Sequence, residues 1–254
     1  MRIFRSESLV DYRTYTFNYA IYCIKEKNEE IPAIYEMGFL PYSNNVKLEH
    51  ETYYLARSLR VELDRFSASS ENRRVTRNIE ALHPSFRVVP AGEFNMKDGD
   101  FKKFCMDYAT KRFSEKINPE RMDYILGTKS ISHVFEFLIG NRTAGYVIAI
   151  AERGTLHYWF AFFDLSYSEY ALGKWMMFSV IAWAKEQNMQ YVYLGTCYGE
   201  KSLYKVRDFK GLSYFDGNRW DDDMKFLKAK CKADSSFRAD AFKQDVDLFL
   251  ERLP

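Results

Sequence analysis

The chain has 254 residues, of which 47% are hydrophobic, 28% are charged and 17% are aromatic. This apolar content excludes a chain that is disordered along its whole length, and the 12 glycines and 6 prolines exclude a collagen-like protein. Lys and Arg number 37 against 35 Asp and Glu, so the formal net charge of +2 does not by itself indicate a nucleic-acid-binding protein.

The four cysteines, Cys23, Cys105, Cys197 and Cys231, are far apart and form no CxxC motif, so the sequence predicts neither a zinc site nor a disulfide framework. The N-terminus lacks the apolar core of a signal peptide, and no apolar stretch is long enough to span a membrane. We therefore expect a cytoplasmic protein with no metal and no membrane association.

The first 66 residues predict short, aromatic-rich strands separated by turns. Residues 12–23 are rich in β-formers, and a short helix is expected to begin near Pro32. Residues 58–66 alternate apolar and charged side chains, a pattern that predicts a half-buried strand. A basic helix with Ser and Glu at its start is then predicted over residues 69–82.

The rest of the chain predicts an alternation of helices and strands. Residues 101–113 carry apolar side chains at helical spacing. Three apolar runs with turns at 141–142 and 153–155 predict successive strands, HVFEFLIG, TAGYVIAIAERG and TLHYWFAFFDL. A long helix over residues 169–188 and a buried strand, YVYLGT at 191–196, follow. The order of elements predicts an α+β (mixed α/β) fold.

Familiar catalytic motifs are absent: the sequence contains no GxSxG, HExxH, GxxxxGK[ST] or GxGxxG. The four histidines are scattered, and we interpret His157, within an aromatic strand, as structural. Glu136 lies either on a solvated strand face or in a pocket. Asp164 is either a helix cap or an acid in a cleft at the strand end.

Two basic segments are candidates for phosphate contact. Arg73, Arg74 and Arg77 form either a solvated helix face or a phosphate-binding group, because guanidinium groups bind phosphate oxygens in pairs. Residues 198–210 interleave basic and aromatic side chains, which suits phosphate contact with base stacking and equally suits a soluble loop.

Several segments carry a family resemblance when they are taken together. Residues 57–78, RSLRVELDRFSASSENRRVTRN, contain an arginine-valine strand, a serine pair and a doubled arginine ending in Arg-Asn. Residues 162–220 contain an aromatic-Asp strand end, a Leu-Gly helix entry, a Tyr-Leu-Gly strand, a Tyr-Lys pair and a closing Gly-x-x-Trp. YEMGFLPYS (35–43) and FCMDYATKRF (104–113) match more loosely. These segments resemble the arginyl/leucyl-tRNA–protein transferases, the aminoacyltransferases of the N-end rule of protein degradation.

The chain departs from the family pattern at three places. Tyr54 and Arg57 stand approximately where the family carries cysteines, so a metal role of those cysteines does not carry over. Ala171 replaces the usual serine before the Leu-Gly helix entry, and Thr196-Cys197 replaces aromatic residues after the Tyr-Leu-Gly strand. The resemblance is therefore to a divergent member.

The resemblance implies a GNAT-like acyltransferase fold in a catalytic domain at residues 79–254, preceded by a smaller N-terminal transferase region at residues 1–78. It implies transfer of Arg or Leu from aminoacyl-tRNA, as co-substrate and without another cofactor, to the N-terminal amine of a protein or peptide that begins with Asp or Glu. The alternatives are a CoA-dependent GNAT N-acyltransferase and a non-catalytic relative that binds N-termini or RNA. CoA is disfavoured because the strand-to-helix junction at 165–173 has a single glycine and contains Glu169, which would repel a pyrophosphate.

Aminolysis of an ester needs positioning and one proton acceptor, and on this basis the resemblance implies the following site. The expected catalytic residues are Tyr193, Gly195, Tyr204, Lys205 and Asp164. The expected substrate-binding residues are Arg73, Arg74, Arg77, Asn78, Glu136, Leu194 and Lys210.

Overall fold

A computed structural model of the chain describes residues 1–11, 16–113 and 117–234. The strands that these residues form are β1 (Arg2–Asp11), β2 (Thr16–Ile24), β3 (Phe39–Pro41), β4 (Thr52–Leu55), β5 (Ser58–Glu62), β6 (Pro84–Pro90), β7 (His133–Ile139), β8 (Arg142–Glu152), β9 (Thr155–Phe163), β10 (Tyr191–Thr196), β11 (Leu212–Phe215) and β12 (Trp220–Asp221). The helices are α1 (Ile31–Glu36), α2 (Ser70–Glu80), α3 (Gly99–Phe113), α4 (Pro119–Leu126), α5 (Leu172–Glu186), α6 (Leu203–Asp208) and α7 (Met224–Ala233).

The strands form a small and a large sheet. The small sheet has the order β1-β2-β4-β3 and is antiparallel throughout. The large sheet has the order β12-β11-β5-β10-β9-β8-β7-β6, in which β9 and β10 run parallel and the other neighbours run antiparallel. Parallel neighbours need a crossover, and α5 supplies it between β9 and β10.

Helices and the small sheet cover both faces of the large sheet. One face packs against α2, α5 and α7. The other packs against α3 and α4 at the β7–β9 end. Beside these helices, α1 and the small sheet bury residues such as Tyr35 and Tyr53 against Ile150 and Tyr193. Helix α1 and the small sheet thus form an N-terminal layer on the large sheet, whereas β5, which is also within residues 1–78, is a strand of the large sheet itself.

The prediction of a half-buried strand at residues 58–66 was wrong, because β5 is buried on both faces. It lies between β10 and β11, and Ser58, Leu59, Arg60 and Val61 are all buried. The guanidinium of Arg60 lies 4.0 Å from the ring centroids of both Tyr191 and Trp220. The alternation of charged and apolar residues here therefore reflects two covered faces, one of which holds a buried cation against aromatic rings.

The long helix α5 confirms the prediction for residues 169–188, although it begins later. A 3₁₀ helix, Leu165–Tyr170, and the left-handed Ala171 at φ +58° precede it. A Cβ on Gly173 would stand only 2.7 Å from Phe163 Cε1, so glycine lets the first turn of α5 approach β9 closely. No helix among the described residues is both long and apolar enough to cross a bilayer.

Candidate active site

A cleft opens where strands β9 and β10 diverge. The two strands pair only at Tyr191 with Thr155, Val192 with Leu156 and Tyr193 with His157. Gly195, with φ at +81°, then bends β10, and its pairing with β5 shifts register between Tyr193 and Thr196. Backbone groups of both strands beyond this point therefore face a cavity instead of each other.

The cleft has a volume of about 740 Å³ and combines aromatic rings with basic side chains. Its walls come from the small sheet, α3, α4, β9, β10 and α6. The aromatic lining residues are Tyr42, Tyr54, Tyr108, Phe113, Tyr158, Trp159, Phe160 and Tyr204. The basic lining residues are Arg112, Arg121, Lys201 and Lys205. Such a lining suits a ligand that has both planar rings and negative charge.

The Lys205 side chain extends from α6 to the end of β10 that no longer pairs with β9. Its Nζ donates to the carbonyl oxygens of Leu194, at 2.7 Å, and Thr196, at 3.2 Å. Burial lowers the pKa of Lys205 to about 8 because the ammonium loses hydration, an effect that the nearby Cys197 thiol opposes. Near neutral pH both protonation states are populated. The neutral amine keeps two N–H donors for the carbonyls and has a lone pair that can accept a proton.

His157 also lines the cleft, which the interpretation from sequence missed. It is 2% exposed, and its Nδ1 lies 3.2 Å from the hydroxyl of Tyr35 in α1. Burial, reinforced by the charge of Lys205, lowers the pKa of His157 to about 3, so the imidazole is neutral. The available signal was a polar residue within the apolar run TLHYWFAFF, but its partner is 122 residues away in the sequence.

The structure brings together four of the residues predicted from the sequence: Leu194, Gly195, Tyr204 and Lys205 all line the cleft. Tyr193 adjoins them, but its ring points to the N-terminal layer and lies 4.8 Å from the ring of Tyr35. The sequence segment from the Tyr-Leu-Gly strand to the Tyr-Lys pair is therefore one spatial cluster.

Asp164 and Glu136 lie outside the lining of the cleft. Asp164 is exposed after β9, where its carboxylate accepts a hydrogen bond from the backbone N–H of Ser166 at 2.9 Å. Glu136 is buried within β7 and accepts hydrogen bonds from Arg87 Nε at 2.6 Å and the Thr143 hydroxyl at 2.7 Å. Of the interpretations left open, the structure favours the helix cap for Asp164. Glu136 is buried, so it is not on a solvated face, and it pairs with Arg87 instead of lining the cleft.

The predicted substrate-binding residues of α2 are also outside the cleft lining; they are Arg73, Arg74, Arg77 and Asn78. Arg74 pairs with Glu71 at 2.8 Å, and Arg73 donates to the carbonyl of Ala68 at 2.7 Å. Lys210 is exposed after α6 and is not part of the cleft lining either. Contact of these residues with a bound RNA outside the cleft stays a prediction.

Arg57 fixes the loop that follows β10 and carries Lys201. Its Nη1 and Nη2 each lie 2.9 Å from an oxygen of Asp234, and Nη1 also donates to the Cys197 carbonyl. Asp234 in turn accepts from the backbone N–H of Gly199 at 2.7 Å. An arginine at a position where the resembled family carries a cysteine thus organises one rim of the cleft.

Several carboxylates lie near the junction between β9 and α5. Lys174, in the first turn of α5, pairs with Glu71 at 2.9 Å and with the buried Asp208 at 2.8 Å. Hydrogen bonds from Arg74 and Lys174 lower the pKa of Glu71 to about 2, so this carboxylate is ionised. The cationic side chain at this helix start is therefore neutralised by acidic neighbours.

Comparison with known proteins supports the fold. Residues 126–210, less than half of the chain, match the family described as acetyltransferase (GNAT) domain. The match spans β7 to β10 with α5 and α6, and it includes the residues of β9, β10 and α6 that line the cleft. A search of curated protein sequences found no match.

Solved structures that match part of this chain include the C-terminal domain (DUF2156) of a putative lysylphosphatidylglycerol synthetase from Agrobacterium fabrum, at 10% identity and a TM-score of 0.44, covering 66% of this chain and 51% of that chain. L-PGS from Bacillus licheniformis is 12% identical with a TM-score of 0.43, covering 68% of this chain and 51% of that one. FemX is 8% identical with a TM-score of 0.47, covering 76% and 69%. The chain thus matches about half the length of the first two structures.

The match confirms the expected fold class: a mixed α/β protein with a GNAT-like acyltransferase domain in its C-terminal part and a smaller N-terminal region. None of the named matches is an arginyl/leucyl-tRNA–protein transferase, and that resemblance stays a prediction.

Proposed function

We propose that the protein is an aminoacyltransferase that moves an amino acid from aminoacyl-tRNA to the N-terminal amine of a protein, with Asp or Glu as the preferred first residue of the acceptor. The observation that carries the proposal is the cleft between β9 and β10, where a lysine of lowered pKa stands among aromatic rings and cations. The terminal adenosine of a tRNA can stack on such rings, and its phosphates are attracted by such cations.

Lys205 suits the proton transfer that aminolysis requires. The aminoacyl ester is already activated, so the enzyme needs to hold the acceptor amine about 3 Å from the ester carbonyl and to accept one proton. The amine nitrogen attacks the carbonyl carbon, and its proton passes to the neutral Nζ of Lys205. The tetrahedral intermediate then breaks its bond to the ribose oxygen, which takes the proton back from Lys205. The products are an amide and a free tRNA, so atoms and charges balance.

The basic lining of the cleft favours an acidic acceptor. Arg112, Arg121 and Lys201 lie in the same cavity as Lys205, and a carboxylate entering it gains charge-assisted hydrogen bonds. The same cations would repel an arginine side chain on the donor. Of the two amino acids that the resemblance implies, leucine therefore meets the smaller electrostatic penalty.

A CoA-dependent N-acyltransferase is not favoured. In CoA-using GNAT enzymes, the backbone amides of a glycine-rich loop between strand and helix hold the pyrophosphate. Here the backbone N–H of Ser166 already donates a hydrogen bond to the Asp164 carboxylate, and Lys174 already pairs with the Glu71 and Asp208 carboxylates. A pyrophosphate at this junction would face negative charge.

The test is incubation of the chain with a mixture of charged tRNAs and peptides that begin with Asp, Glu or Gly, read by mass spectrometry. We expect an added leucine on the Asp and Glu peptides and none on matched N-acetylated peptides. Lys205→Met should lower kcat by about 100-fold or more, since general base catalysis contributes 10²–10⁴-fold. The control Lys228→Met, at an exposed position of α7, should leave kcat unchanged. Acetylation from acetyl-CoA without any aminoacyl transfer would refute the proposal.

A further inference from the structure

His157 and Lys205 converge on one point of the cleft floor. Gly195 has no side chain, and a Cβ built on it would stand 3.9 Å from Lys205 Nζ and 4.0 Å from His157 Nε2. Both nitrogens therefore lie within contact distance of the same point at the bend of β10, and His157, Gly195 and Lys205 all line the cleft. A reacting carbonyl in this space would have a proton acceptor on one side and an imidazole on the other.

The hydrogen bond to Tyr35 determines which nitrogen of His157 carries the proton. The Tyr35 side chain is fully buried, and its hydroxyl lies 3.2 Å from His157 Nδ1. A buried phenol has one proton to donate and needs an acceptor for it. In a neutral imidazole only one nitrogen can accept. Nδ1 is then the acceptor, and the single ring proton is on Nε2, which faces the cleft.

Packing holds this pair in place. The Tyr35 ring contacts the rings of Tyr53, His157 and Tyr193, with centroids 6.1, 5.4 and 4.8 Å away. Tyr35 comes from α1, so the N-terminal layer orients a group that stands in the GNAT-like domain. An N–H that is oriented before substrate binds costs no reorganisation when charge develops opposite it.

We propose that His157 is a catalytic residue whose Nε2–H donates a hydrogen bond to the carbonyl oxygen of the acyl donor as that oxygen becomes an oxyanion, and that Tyr35 is a positioning residue that fixes the tautomer. The inference rests on the proposed function and adds to it the group that stabilises the tetrahedral intermediate. Lys205 moves the proton, whereas His157 keeps its own proton and supplies only the hydrogen bond.

Substitutions that keep or remove the Nε2–H test the kinetic role. His157→Phe removes the donor and should lower kcat by 10²–10³-fold with little change in KM, as for loss of one oxyanion donor. The amide nitrogen of His157→Gln reaches about the position of Nε2 and should restore at least 10-fold of that loss. His157→Asn places its amide near the position of Nδ1 and should be as slow as His157→Phe. Equal activity of the Gln and Asn variants, or an unchanged kcat in His157→Phe, would overturn the role.

Tyr35→Phe tests the positioning. It keeps the packed ring and removes the hydroxyl that selects the tautomer, so kcat should fall by about 10-fold. The double variant Tyr35→Phe with His157→Phe should have the same kcat as His157→Phe alone. Additive losses in the double variant would overturn the assignment of Tyr35 to His157.

Nitrogen-15 NMR of the imidazole rings checks the hydrogen bond without any turnover. The signals of His157, assigned by their loss in His157→Gln, should show the Nε2–H tautomer between pH 5 and 8, and Tyr35→Phe should shift the population toward Nδ1–H. An Nδ1–H tautomer in the wild type would overturn the inference even if aminoacyl transfer is confirmed. If the wild type uses another activated acyl donor, the proposed function fails but the same variants still test His157, because every acyl transfer forms an oxyanion.

Discussion

The lowered pKa of Lys205 predicts a specific pH dependence of folding stability. The pKa falls from 10.5 to about 8 because folding removes water from the ammonium. Between these two values the unfolded chain binds more protons than the folded chain, so the free energy of unfolding rises with pH. At pH 7 the shifted pKa of Lys205 lowers the free energy of unfolding by about 3 kcal/mol. At pH 10, where the folded-state lysine is neutral, it lowers that free energy by less than about 1 kcal/mol. Lys205→Met removes this titration and should therefore remove about 2.5 kcal/mol of pH dependence.

Urea unfolding of the wild type and Lys205→Met at pH 7 and pH 10 measures this effect. Other groups titrate over the same range, but they contribute equally to both proteins and cancel in the difference. The stability of the wild type relative to the variant should rise by about 2.5 kcal/mol from pH 7 to pH 10. Parallel pH dependences for the two proteins would show that Lys205 keeps an ordinary pKa, and would remove the physical basis for its role as proton acceptor.

Three further variants, one of which carries two substitutions, check the packing near the site and the role of α2. Gly173→Ala should destabilise the fold by about 1–3 kcal/mol, measured by urea unfolding, because the new methyl group would overlap the neighbouring phenylalanine ring; unchanged stability would contradict this packing. Arg57→Ala should lower the free energy of unfolding by about 2–4 kcal/mol in the same assay, because Asp234 loses its bidentate ion pair. A decrease below about 0.5 kcal/mol would show that this ion pair does not hold the cleft loop. Arg73→Ala with Arg74→Ala should weaken tRNA binding and reduce its salt dependence in fluorescence titrations, and an unchanged salt slope would exclude phosphate contact by α2.

The parts of the fold with strong local signals could be predicted from the sequence. Helix α5 repeats apolar residues over four turns, and β7, β8 and β9 are long apolar runs with turn residues between them. Helices α4, α6 and α7 have ten residues or fewer, and their short apolar patterns did not stand out. Their positions depend on packing against the sheet more than on local preference.

The candidate site could be predicted only where its residues are close in sequence. Leu194, Gly195, Tyr204 and Lys205 lie within twelve consecutive positions and meet in space because α6 folds back on β10. Arg60 was expected on a solvated face, since nothing local indicates that β5 is covered on both sides. The contact of His157 with Tyr35 joins a central strand to the N-terminal layer, and long-range pairing of this kind leaves no periodic signal.

We propose that the cleft between β9 and β10 joins an RNA-borne aminoacyl ester to a free α-amine. Mass spectrometry of an Asp-leading peptide after incubation with the wild-type chain and leucyl-tRNA tests it most directly. We predict a peptide extended by one leucine at its N-terminus, at a rate that falls by about 100-fold or more in Lys205→Met. An unmodified peptide with leucyl-tRNA and with every other charged tRNA would contradict it.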